Sequence, residues 1–153
     1  MSDNISTKEA VTCAIRHIGT GIYSSGKIKI YLIQKGYSEA VASSAVKHLI
    51  DTGYIDDMRA SRKVLAARSG KKQESREYIF SRLLVAGISP KCAHKIIGGL
   101  GRDIDTCRSL FEANFGSAPE DASDREDEFI KLAVKRGYGI ETARTAFRLY
   151  LEE

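Results

Sequence analysis

The stretch Gly21-Ile22-Tyr23-Ser24-Ser25-Gly26-Lys27 has the spacing of half a phosphate-binding loop, in which freed backbone N–H groups and a lysine cradle phosphates. The next residue is Ile28, where that chemistry needs a Ser or Thr hydroxyl on magnesium, and no strand-like run precedes the loop. Ser24 reads instead as the cap of a helix whose first apolar position is Ile28. Asp56 and Asp57 could serve acid/base or metal chemistry, yet no histidine or further carboxylate accompanies them at a readable spacing. Capping a helix at its positive end accounts for both. Cys13 and His17 could share a helix face as two zinc ligands, but His48 and His94 supply no matching pair. No G-x-S-x-G elbow or nucleophile–base spacing is present. The sequence therefore assigns no catalytic, metal or cofactor residue and no small-molecule substrate, which points to a binding protein.

Charge is the other candidate for function. Residues 8–95 carry 16 Lys or Arg against 7 Asp or Glu, whereas residues 96–153 carry 8 against 12, so a net charge of +4 hides a basic part and an acidic part. A basic surface suits an anionic partner such as nucleic acid or a nucleoprotein complex, the alternative being ordinary solvated helix faces. Arg59, Arg62 and Lys63 are expected on one side of the helix after Asp56, away from Ala60, Val64 and Ala67. Arg68, Lys71, Lys72, Arg76 and Arg82 continue the basic run.

The elements that must position these residues come from an internal repeat. Gly36, Gly87 and Gly137 are 51 and 50 residues apart. Each is followed by a large apolar residue (Tyr37, Ile88, Tyr138) and, six positions on, by alanine (Ala42, Ala93, Ala143). Ala42, Ala45, Val46, Leu49 and Ile50 have the spacing of one buried helical stripe, which Ala93, Ile96, Ile97 and Leu100, and then Ala143, Ala146, Phe147, Tyr150 and Leu151, repeat. Glycine can end a helix in the left-handed conformation, and Ser38, Ser89 or Gly139 can cap the next one, with Pro90 at its first turn. Gly53-Tyr54-Ile55-Asp56-Asp57 repeats the stop-and-cap logic for a third helix. The expected fold is all-α: three tandem three-helix repeats of period about 50 residues in an elongated, curved array. Its parts are a leading helix and extension over 1–22, repeats over 23–69 and 70–115, an acidic linker over 116–126, and a truncated repeat over 127–153.

Three cysteines with no paired spacing fit a reducing compartment. With no apolar leader after Met1 and no membrane-length apolar run, the expectation is a cytoplasmic protein without a membrane partner.

Leu32-Ile33-Gln34-Lys35-Gly36-Tyr37, Gly53-Tyr54-Ile55-Asp56-Asp57, Leu83-Leu84-Val85-Ala86-Gly87-Ile88 and Ala133-Val134-Lys135-Arg136-Gly137-Tyr138 together resemble the RecX family, from about Tyr23 onward. Tyr23-Ser24-Ser25-Gly26-Lys27-Ile28 and Tyr78-Ile79 depart from its usual pattern and mark a divergent member. The resemblance implies tandem three-helix repeats and a modulator that lies in the groove of the RecA recombinase filament on single-stranded DNA. Such a protein limits recombination, ATP turnover and co-protease activity, with roles in DNA repair and the SOS response. Two other classes share the outline: a stand-alone DNA-binding protein of helix-turn-helix type and a helical protein–protein adaptor.

Overall fold

The computed structural model describes residues 2–153, with side chains from Ser6 onward. Among the described residues the chain is all-helical: α1 (Ser2–Ile18), α2 (Ser25–Gln34), α3 (Glu39–Asp51), α4 (Asp57–Ala67), α5 (Arg76–Val85), α6 (Pro90–Gly98), α7 (Asp103–Phe115), α8 (Glu126–Lys135) and α9 (Ile140–Leu151). Two short 3-10 turns lie at Gly70–Lys72 and Ala122–Arg125. No described helix is long and apolar enough to cross a membrane.

The helices start and stop where short side chains and glycine require it. Ser24, Ser38 and Ser89 hydroxyls accept from the N–H groups of Lys27, Val41 and Cys92, and the Asp56 carboxylate accepts from Arg59 N–H at 3.1 Å. Gly36, Gly87 and Gly137 adopt φ of +102°, +86° and +94°. That conformation lets Tyr37, Ile88 and Tyr138 return their N–H groups to the carbonyls of Leu32, Leu83 and Ala133 and close each helix end. At Gly53 the return is one residue longer. Ile55 N–H reaches Leu49 O at 3.1 Å, so Ile55 is the buried residue and Tyr54 stays half exposed.

The chain forms two compact units, the first comprising residues up to Lys63 with Leu83–His94, the second Val64–Arg82 with Lys95–Glu153. The first has an aliphatic core of Ala10, Ala14 and Ile18 from α1, Ile28 and Leu32 from α2, and Val41, Ala42, Ala45, Val46 and Leu49 from α3. Alanines on α1 and α3 let those backbones approach closely, and the larger side chains fill the remaining space. The second has an aromatic core: Phe111 meets Phe129 edge-on at 5.2 Å, and Phe147 and Tyr150 pack on both. The Tyr150 hydroxyl donates to Gly116 O at 2.9 Å, so its polar end is not stranded in that core.

Two expectations need correcting. Ile50 is exposed, because it lies about 100° around α3 from Leu49, beyond the buried stripe. On α4 the buried side chain is Ser61, with Ala67 exposed. Ser61 sits one turn after Asp57 and donates its hydroxyl to Met58 O, so the buried face carries a polar residue that a hydrophobic pattern overlooks. In the acidic segment Ala122 is buried, and Arg125 bridges Asp121 and Glu128 while lying over the Phe115 ring.

Candidate functional site

The chemical-looking residues of the first unit turn out to join helices. The loop from Gly21 to Lys27 connects α1 to α2, with Ser24 as the helix cap and Ile28 fully buried. The backbone N–H of Gly26 donates to Gly87 O at 2.8 Å, and the Ser24 hydroxyl donates to Ala86 O at 2.7 Å, so these donors are spent on protein acceptors. The Asp57 carboxylate accepts from Ser25 N–H at 2.7 Å, from the Ser25 hydroxyl at 2.6 Å and from Ser89 N–H at 3.0 Å. One carboxylate thus stands at the starts of α2, α4 and α6, where three sets of unpaired helix N–H groups converge. Cys13 and His17 likewise pack on α2: the His17 ring stacks on Tyr31 at 3.7 Å, and Cys13 Sγ lies 3.9 Å from the Tyr31 hydroxyl. Among the described residues no three His, Cys, Asp or Glu side chains gather as metal ligands would.

The second unit contains a parallel joint. Ser75 N–H donates to Arg136 O at 3.0 Å, Asp103 accepts from Arg76 N–H at 3.0 Å, and the Tyr138 hydroxyl donates to Glu74 O at 3.1 Å. Burial raises the Tyr138 phenol well above its ordinary pKa and keeps it a neutral donor. Burial also pushes the Cys107 thiol up to about 12, which leaves it an inert core residue.

The eight basic residues divide by what they touch. Arg68 and Arg82 both pair with Glu74, itself only 2% exposed, at 3.7 and 3.1 Å. The hydrogen bonds that Arg82 donates to Glu74 raise its guanidinium pKa further. Arg76 donates to the carbonyls of Leu100 and Gly101 just beyond the C-terminus of α6. Arg59, Arg62 and Lys63 in the first unit, and Lys71 and Lys72 in the second, are exposed, and no ion pair is formed by them among the described residues. Of the other motif residues, Gly36, Gly53 and Tyr54 lie at open turns, Tyr37 is half-buried against the first core, and Ile88 and Tyr138 are buried.

Sequence reasoning missed a groove in the first unit. It has a volume of about 620 Å³, a floor that includes Ile30, Val46, Ile50 and Val85, and the lysines Lys27, Lys29 and Lys47 along it. The signal was present as apolar residues lying off each helix's buried stripe.

No protein-family model matches the chain. It is similar to a curated protein of Pelodictyon phaeoclathratiforme named Regulatory protein RecX, at 28% identity over 153 aligned positions that cover 97% of this chain and 92% of the relative. That name describes a regulatory protein, and the similarity runs almost end to end.

Proposed function

We propose that this chain is a RecX-type regulator that binds the RecA recombinase filament on single-stranded DNA and restrains its ATPase and strand-exchange activity. The observation that carries the reading is the near full-length similarity to a protein named Regulatory protein RecX. Two features of the structure support it. At the joints Ser24–Gly87 and Ser75–Gly137 a serine at a helix start donates to the carbonyl just before a registered glycine, through its hydroxyl at Ser24 and its N–H at Ser75, a recurrence that tandem repeats of period about 50 residues would produce. Five exposed cations that form no ion pair among the described residues offer charge to an anionic filament, whereas Arg68, Arg76 and Arg82 are held by the fold itself. On this reading the protein acts as a cytoplasmic, non-enzymatic regulator that needs no cofactor, and its partner contacts are Arg59, Arg62 and Lys63 in the first unit and Lys71 and Lys72 in the second.

The test is the ATPase rate of RecA filaments on single-stranded DNA with increasing protein, beside an Arg59→Ala/Arg62→Ala/Lys63→Ala variant and a Lys71→Ala/Lys72→Ala variant. Suppression by the wild type, weakened about tenfold or more in either variant, is the expected outcome for charged contacts of this kind. Unchanged turnover with the wild type overturns the reading. Tight, strongly salt-dependent binding to DNA without the recombinase would favour a stand-alone DNA-binding protein instead.

A further inference from the structure

The first unit displays more apolar surface than its own core uses. On α2, Ile28 and Leu32 face inward and are fully buried, while Ile30 on the opposite side is 55% exposed. On α3, Ile50 turns outward beside the buried Leu49, and at the end of α5 Leu84 and Val85 are exposed, Val85 to 79%. These four side chains come from three helices, α2, α3 and α5, and they line a single groove of about 620 Å³. Scattered exposed aliphatics need no explanation, but a gathered, concave set does.

Charge narrows what could fill the groove. Its lining includes Lys27, Lys29 and Lys47 and not one Asp or Glu. Lys29 reaches out to Glu39 at 3.4 Å, a surface pair of little strength, and Lys27 and Lys47 have no ion pair among the described residues. The occupant is therefore apolar along its centre and acidic along its flanks. Single-stranded nucleic acid is anionic too, but it stacks its bases on aromatic side chains, and no aromatic residue lines this groove. A duplex would leave the aliphatic floor without a complement. An amphipathic helix with a stripe of large apolar residues and flanking carboxylates satisfies both features.

The groove is also preformed. Its α2 and α5–α6 walls are pinned by the Gly26–Gly87 hydrogen bond at 2.8 Å and by Asp57, which holds Ser25 and Ser89 together. A wall that is already ordered does not lose that entropy on binding.

We propose that this groove is the docking site for an acidic amphipathic helix of a partner protein. The proposal does not rest on the recombinase reading, because it uses none of Arg59, Arg62, Lys63, Lys71 or Lys72. The test uses the full chain and a fluorescent helical peptide probe with leucines at i, i+3, i+4 and i+7 and glutamates on its flanks. A lysine-flanked version and a single-stranded oligonucleotide serve as competitors. Expected are saturable binding of the glutamate peptide, about a tenfold or greater loss of affinity for Val85→Asp, a comparable loss for Lys27→Glu/Lys47→Glu, and weakening by salt. Circular dichroism of each variant establishes that helix content is intact. Failure of the glutamate peptide to bind, or equal binding of the lysine-flanked one, overturns the proposal. So does displacement by the oligonucleotide with Val85→Asp harmless, which assigns the lysines to nucleic acid. A wild-type dimer in sedimentation that Val85→Asp converts to monomer also overturns it, since a second copy would then cover the face.

Discussion

Asp56 and Asp57 are chemically identical neighbours with different work. Asp56 is exposed and caps its own helix through one hydrogen bond to Arg59 N–H, a task that Asn performs about as well. Asp57 is half-buried, and both of its oxygens accept from donors on Ser25 and Ser89. Asn at that position would turn an NH2 group toward an N–H or O–H and leave a donor unsatisfied. Asp56→Asn is expected to change unfolding stability by only a few tenths of a kcal/mol, whereas Asp57→Asn is expected to cost about 2 kcal/mol. Urea denaturation of the two variants checks this, and equal midpoints would show that Asp57 is no more than a second cap. The sequence made the capping of α4 legible, because that bond is local. It could not show that the same carboxylate serves residues 32 positions away on either side, since only the packed chain brings Ser25 and Ser89 together.

At the scale of elements the three registered glycines are alike in sequence and unlike in surroundings. All have positive φ, so alanine at any of them carries about 1 kcal/mol of backbone strain. An added Cβ at Gly36 meets nothing within 4 Å. At Gly87 it would collide with Ser24 Oγ and Lys27 N, and at Gly137 with the Tyr78 ring and Ser75 Oγ. Gly36→Ala is therefore expected to lose about 1 kcal/mol, and Gly87→Ala and Gly137→Ala a further 1 to 3 kcal/mol, roughly, from overpacking. Chemical denaturation of the three variants distinguishes this from a uniform turn effect, in which all three would shift alike. Periodicity revealed the turns and the stripe Ala42, Ala45, Val46 and Leu49, because burial on a helix face leaves a trace in spacing. It did not reveal the exposure of Ile50 or the burial of Ser61. Nor did it separate Arg68 and Arg82, which neutralise buried Glu74, from Arg59 and Arg62, because an ion pair to a carboxylate in a connecting loop has no fixed spacing.

Over the whole molecule, the forces that hold the fold differ from those offered to a partner. The two cores are aliphatic and aromatic, and salt at moderate concentration leaves such burial almost unchanged. The exposed cations and the groove lysines act in solvent, where added ions screen them over about 8 Å at physiological strength. Contact with a filament that presents phosphates would also release counterions and so respond more steeply than screening alone. If the protein restrains RecA as proposed, raising salt from about 50 to about 200 mM moves the protein concentration needed for half-inhibition of RecA ATPase upward by tenfold or more. Thermal unfolding of the protein alone should barely shift over the same range. Measuring both on one preparation separates the two contributions. A half-inhibition point that stays fixed while the fold is intact would mean that the partner is held through apolar contact alone, and the basic residues would then be solvated helix faces and nothing more.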